Sequence, residues 1–231
     1  MPATADARAM PPIPAHWVKN NILAAVISSA VSLCIHGMRL ATGAADADAG
    51  LGAIVFLYAI AIILWTFSGS ADGLLTGAVL QRVVPSLPAR IWIGLHALMA
   101  VVVGVGGELA FMSSPGDSKG TDDVSMGEMM LVGFMLGAVI GAVVGGLQAL
   151  VLRRAALGTE AWIGWSTAAF AIAMAFVSGG ASLLGRGDGL AGELANQALV
   201  FLAAVIISVV MLPALGRLRD RMLSRAGSYF S

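Results

Sequence analysis

The sequence predicts an all-α, polytopic membrane protein built as a bundle of six transmembrane helices, and three observations carry that reading. Of the 231 residues, 58% are hydrophobic and 11% are charged, whereas soluble domains carry about 25% charged residues. The apolar residues gather into six runs, each long enough to cross a hydrocarbon core of about 30 Å. Glycine recurs at every fourth position in two of those runs, at Gly69, Gly73 and Gly77, and again at Gly133, Gly137, Gly141 and Gly145. In water each helical glycine costs about 1 kcal/mol against alanine. In lipid such a zipper-like row lets two helices approach backbone to backbone.

Residues 1–17 are rich in Ala and Pro and read as a flexible cytoplasmic tail. The six-helix domain covers 18–214, and 215–231 form a basic C-terminal tail. Helix 1 is expected over Val18–Leu40. A signal peptide is disfavoured there, because the run is long enough to span and Arg39 sits where a cleavage region is uncharged. Helix 2 is expected over Gly52–Val84. At about 1.5 Å per residue it is longer than the membrane core, so it must tilt, protrude or break. The Ser68-Gly69-Ser70 step is the expected break, as Gly/Ser pairs are common kink sites. Pro85 and Pro88 end this helix.

Helix 3 is expected over Ile91–Met112, followed by the longest loop, Ser113–Ser125. Helices 4, 5 and 6 are expected over Gly127–Leu152, Ala161–Leu184 and Leu194–Leu212, the last stopped near Pro213. Beyond it, Arg217, Arg219, Arg221 and Arg225 alternate with apolar residues, a pattern suited to a short basic helix on the bilayer surface.

Orientation follows from the cations. The N-terminal tail, loops 2–3 and 4–5 and the C-terminal tail hold Arg8, Lys19, Arg82, Arg90, Arg153, Arg154 and the four tail arginines. The opposite loops hold Arg39, Lys119 and Arg186, with most of the acids. Both termini are therefore expected in the cytoplasm of a bacterial-type plasma (inner) membrane. A parallel internal repeat is also expected. Ile91-Trp92-Ile93-Gly94 opens helix 3 and Ala161-Trp162-Ile163-Gly164 opens helix 5, seventy positions later, and the glycine rows match at an offset of 68. Helices 2–3 and 4–5 would be the two copies, with helices 2 and 4 packed together through their glycine rows, within one chain or between subunits.

Asp72 is the one acid that falls deep within a predicted span. It lies ten residues before Arg82, or roughly 15 Å along a helix axis. Ser68, Asp72 and Thr76 form a polar stripe beside the glycine row, while the matching face of helix 4 (Leu136, Ile140, Val144, Leu147) is wholly apolar. The scaffold therefore does not require an acid there. A buried carboxyl costs several kcal/mol unless it is protonated or paired. Asp72, with Ser68 and Thr76, is the candidate proton or cation site. The plain alternative is a carboxyl that only hydrogen-bonds a neighbouring helix.

Other constellations are weaker. His36 and His96 suggest a haem, but their depths put them near opposite faces. Hydrogen-bonded helix histidines are the simpler account. His36, Met38, Met112, Met126, Met129 and Met130 share the outer helix ends, and thioethers with imidazole suit Cu(I). Methionine is also common apolar filler. Glu108 and Arg39 are expected to pair or snorkel. Asn196 and Gln197 suit interhelical hydrogen bonds, worth about 0.6 kcal/mol each. Trp17, Trp92 and Trp162 stand at cytoplasmic helix starts, where aromatic belts form.

The single Cys34 rules out an intrachain disulfide. The glycines lie inside apolar helices and are not phosphate loops. No metal, cofactor, catalytic set or nucleic-acid partner is expected, and the chain is not read as an enzyme. The expected partners are the lipid bilayer and, through the glycine faces, further copies or other membrane subunits. Two functions remain open: a small channel or transporter with its ion at Asp72, and a non-catalytic structural or assembly subunit of a larger membrane complex.

Overall fold

The computed structural model describes residues 13–42, 50–113, 125–154, 159–184 and 189–228, with side chains left undescribed at 107–113, 184, 189–190, 193 and 225–228. Within those residues there are helices and no strands. They are α1 (Ile13–Thr42), α2 (Leu51–Val83), α3 (Ala89–Ser113), α4 (Met126–Arg153), α5 (Glu160–Leu184), α6 (Gly189–Val210) and α7 (Leu212–Ser228). Six of the helices are long and apolar enough to cross a membrane. Large apolar side chains stand exposed along their outer faces, among them Phe67, Val102 and Val139. That pattern is costly in water and suits a multi-pass membrane protein.

Local chemistry sets several boundaries. Ser125 caps α4: its hydroxyl accepts from the Glu128 N–H, and the Glu128 carboxylate accepts from the Ser125 N–H at 2.8 Å, a reciprocal capping box. At the end of α2, Val84 leaves the helical region with φ −128° and ψ 83°, as a residue before proline tends to do. The step at Ser68-Gly69-Ser70 behaves differently from expectation, because α2 runs unbroken from Leu51 to Val83. Gly69 is clamped against α3, and the Ser68 hydroxyl bonds Ser28 of α1 at 2.8 Å. These contacts hold the helix through the site where isolated-helix propensity favours a kink.

The helices pack in chain order, α1 on α2, α2 on α3, α3 on α4, α4 on α5 and α5 on α6, and α1 closes back on α6. The α3–α4 seam is narrow beside the broad α2–α3 and α4–α5 interfaces. The starts of α1, α3 and α5 and the ends of α2, α4 and α6 gather at one end, called here the basic end. Its core joins Trp17, Val83, Trp92, Leu152, Trp162 and Met211. α7 lies against α2, α5 and α6 there, burying Ala214, Leu215 and Leu218. Its apolar face is thus turned onto the bundle. The Arg217 guanidinium lies 5.8 Å from the Trp165 ring centre.

The glycine rows correct one expectation. Within the chain the rows of α2 and α4 do not meet each other. Each packs on the helix that follows it. A methyl group on Gly73 would come 2.7 Å from the Ile93 Cα, and one on Gly141 would come 2.8 Å from the Thr167 Cα. The short connections after α2 and α4 make these antiparallel hairpins the nearest partners. In this way both rows are buried within the chain.

Candidate functional site

The site grows out of the α2–α3 hairpin. Because glycine replaces side chains along one edge of α2, α3 comes close enough for Trp92 and His96 to reach across. The Trp92 indole N–H donates to the Thr76 hydroxyl at 3.1 Å, and that hydroxyl donates to the Asp72 backbone carbonyl at 2.8 Å. One turn on, His96 Nδ1 meets Asp72 Oδ2 at 2.7 Å. His96 is 6% exposed, and its ring tilts against Trp92 with centroids 4.8 Å apart.

The second hairpin completes the array. Gln148 of α4 places its amide nitrogen 3.2 Å from His96 Nε2, and its amide oxygen accepts from the Trp162 indole at 2.9 Å. Trp162 stands edge-on to both Trp17 and Trp92, at 6.1 and 6.4 Å. Trp17 in turn donates to the Ser208 carbonyl at 3.2 Å. A chain of polar contacts therefore links Asp72, His96, Gln148 and Trp162 across four successive helices.

Asp72 sits inside the buried arc of α2. Ser68 and Thr76, one turn to either side, are sealed at 1% and 2% exposure. Between them the Asp72 side chain keeps 33% of its surface open. Two small cavities lie at the basic end, around Trp162 and Arg217 and around Arg153 and Glu160. Asp72 lines neither of them.

Of the three expected site residues, Thr76 is joined to Asp72 through the backbone carbonyl, and Ser68 is turned to α1. His96 and Gln148 were missed as members of the site. The signal for His96 lay in the Val84–Pro88 connection: folding α2 and α3 back about it brings position 72 within about one turn of His96. Gln148 carried no such signal, because only packing of the two hairpins brings it there.

The remaining candidates separate. Both ring nitrogens of His96 are engaged, so neither is open to an iron. His36 Nε2 is buried without a hydrogen-bond partner among the described residues. Met126 and Met130 pack over Gly179 of α5, remote from α1 and His36 in the packing order. The Met112 and Glu108 side chains lie outside the described residues. Arg39 is buried rather than snorkelled outward. Gln197 does bridge helices, donating to Ser32 at 2.9 Å, whereas Asn196 is exposed. The three tryptophans are buried and face inward. They form an internal cluster, not a belt, because their N–H groups have partners inside the bundle.

The fold and site define a multi-pass bundle carrying a carboxyl–imidazole pair inside it. No family model, no curated protein and no solved structure matches this chain.

Proposed function

We infer that this protein is a small channel or transporter of the bacterial inner membrane, both termini cytoplasmic, with an intramembrane proton or cation site at Asp72. The observation that carries the reading is the carboxyl held by His96 and left one-third open between two sealed neighbours. A carboxyl kept only for packing would be closed off as Ser68 and Thr76 are. Acids within membrane spans ordinarily mark ion or proton paths. The unbroken α2 removes one argument for a pathway, that irregular backbone at depth lines a cavity. The hairpins, read as parallel repeats, then form a scaffold into which only the first copy places an acid.

The test is flux in sealed proteoliposomes containing a pH-sensitive dye, under an imposed potential and then with sodium or potassium gradients. Wild-type protein is expected to carry proton or cation current, and Asp72→Asn to fold normally and carry none. Equal flux in the two proteins would end this reading.

The second reading, a non-catalytic subunit of a larger membrane complex, draws support from the narrow α3–α4 seam. Exposed apolar side chains such as Val102, Val103, Met135 and Val139 on α3 and α4 would suit contact with a partner. It predicts that protein extracted gently from its native membrane migrates with a partner, while the purified chain shows no flux.

A further inference from the structure

We propose that the ion taken by this site is a proton, received on Asp72 Oδ1, and that Trp162 and Gln148 position His96 as a fixed neutral donor beneath it. This rests on the reading of Asp72 as an ion site and narrows it to one ion.

The argument begins at Trp162. An indole nitrogen only donates hydrogen bonds. The atom 2.9 Å from it must therefore be the amide oxygen of Gln148. That assignment turns the Gln148 NH₂ toward His96 Nε2, 3.2 Å away. An NH₂ group only donates, so His96 Nε2 must offer its lone pair. A neutral imidazole with Nε2 unprotonated carries its hydrogen on Nδ1. Nδ1–H then donates to Asp72 Oδ2 at 2.7 Å. Every direction in the chain follows from one donor-only group. A doubly protonated His96 would set N–H against NH₂ and is excluded while Gln148 stays bonded to Trp162.

Asp72 is left with one committed oxygen. Oδ2 accepts from His96, and Oδ1 has no partner among the described residues. The ligand count then selects the ion. Hard metal cations ask for about six oxygen ligands, some of which water can supply, so the protein oxygens on hand favour a proton rather than a cage for a metal. Here the Thr76 hydroxyl is spent as donor and acceptor, and Ser68 and Ser28 are bonded to each other. Among the described residues no group of three His, Cys, Asp or Glu comes together. A proton needs one oxygen. It adds to Oδ1, the carboxylate becomes a carboxylic acid, and Oδ2 keeps the His96 bond, so nothing else must move. The titratable group facing Asp72 is His96 of α3. The register set by the Ser28–Ser68 contact puts Ala24 and Ala25 of α1 at its level, and α4 contributes the uncharged Gln148. α7 packs on α2 through few positions, and its Arg217, Arg219 and Asp220 are exposed at the basic end.

The test is infrared difference spectroscopy on the full chain in lipid nanodiscs, acid minus alkaline, with Asp72→Asn as the reference. A protonated-carboxyl band is expected that grows on acidification, vanishes in Asp72→Asn, and stays unchanged when sodium, potassium or magnesium replaces choline. A band that shrinks with one of those metals overturns the proton assignment while keeping an ion site. A band absent, or constant, at every pH overturns exchange at Asp72 altogether. A band that titrates in a protein without flux leaves the proton site standing and ends the transport reading. The positioning arm is nitrogen NMR of labelled histidine, with the His96 signal identified by its loss in His96→Gln. Wild-type protein is expected to show the Nδ1–H tautomer, and Gln148→Leu a mixture of tautomers. An Nε2–H tautomer in the wild type overturns the role given to Gln148 and Trp162, whether or not Gln148→Leu folds.

Discussion

Trp162 and Trp92 look alike in sequence, each opening a helix four residues or fewer into its run, yet they hold different partners. Trp92 donates to the Thr76 hydroxyl and Trp162 to the Gln148 amide. Replacing Trp162 with Phe keeps most of the ring contact and leaves the Gln148 oxygen buried without its donor. An unsatisfied buried group costs about 1–3 kcal/mol, so Trp162→Phe is expected to lower the unfolding midpoint in mild detergent. It is also expected to free the Gln148 amide to rotate. Trp92→Phe should show a comparable loss of stability without altering the His96 tautomer, because Gln148 keeps its partner. Unfolding followed by circular dichroism checks the first expectation, and histidine NMR checks the contrast. Asp72 itself was legible as a residue, since an acid in an apolar run stands out. His96 was legible only through the Val84–Pro88 connection, because a lone histidine in a helix has no directional meaning until the hairpin that faces it is placed.

The hairpin is the element on which packing turns. Glycine rows told from spacing alone that some helix must come very close, but spacing names no partner. The structure assigns each row to the next helix, because a short connection makes that approach cost the least chain entropy. The steric consequence is specific. Gly73→Ala and Gly141→Ala would push a methyl against backbone of α3 and α5. Overpacking of this kind typically costs about 1–3 kcal/mol. Gly94 has nothing within 4 Å of where a methyl would stand, so Gly94→Ala should be neutral or should stabilise by about 0.4–1 kcal/mol through the unfolded chain. Thermal unfolding of the three variants side by side separates close packing from mere tolerance of glycine. Equal losses in all three would refute the assignment of the rows. The same contacts bear on the unbroken α2: Ser68-Gly69-Ser70 is packed against α1 and α3 where a lone helix is prone to break.

At the scale of the whole molecule, the basic end is built as a single unit, with the Trp17, Trp92 and Trp162 cluster inside and α7 laid across it. From the charge asymmetry we propose that this end faces the cytoplasm. The prediction is tested by labelling in a Cys34→Ser background: Gly116→Cys should react with a membrane-impermeant maleimide from outside intact cells, and Ser231→Cys only after permeabilisation. The reverse pattern would invert the topology and with it the side from which Asp72 is approached. Seating α7 on the bundle also changes what its removal should do. Truncation before Leu212 is expected to expose Trp162 and Leu152 and to lower the unfolding midpoint, where a purely lipid-bound tail would leave it unchanged.

By itself the sequence determined the helical class, the number of helices long and apolar enough to cross a membrane and the isolated carboxyl, because hydropathy, charge count and helical period are properties of neighbouring residues along the chain. Tertiary structure alone decided that α2 runs unbroken, that each glycine row belongs to its own hairpin, and that His96, Gln148 and Trp162 converge on Asp72. Hydrogen-bond direction and close approach depend on groups far apart in the chain, and packing is the only interaction that brings them into register.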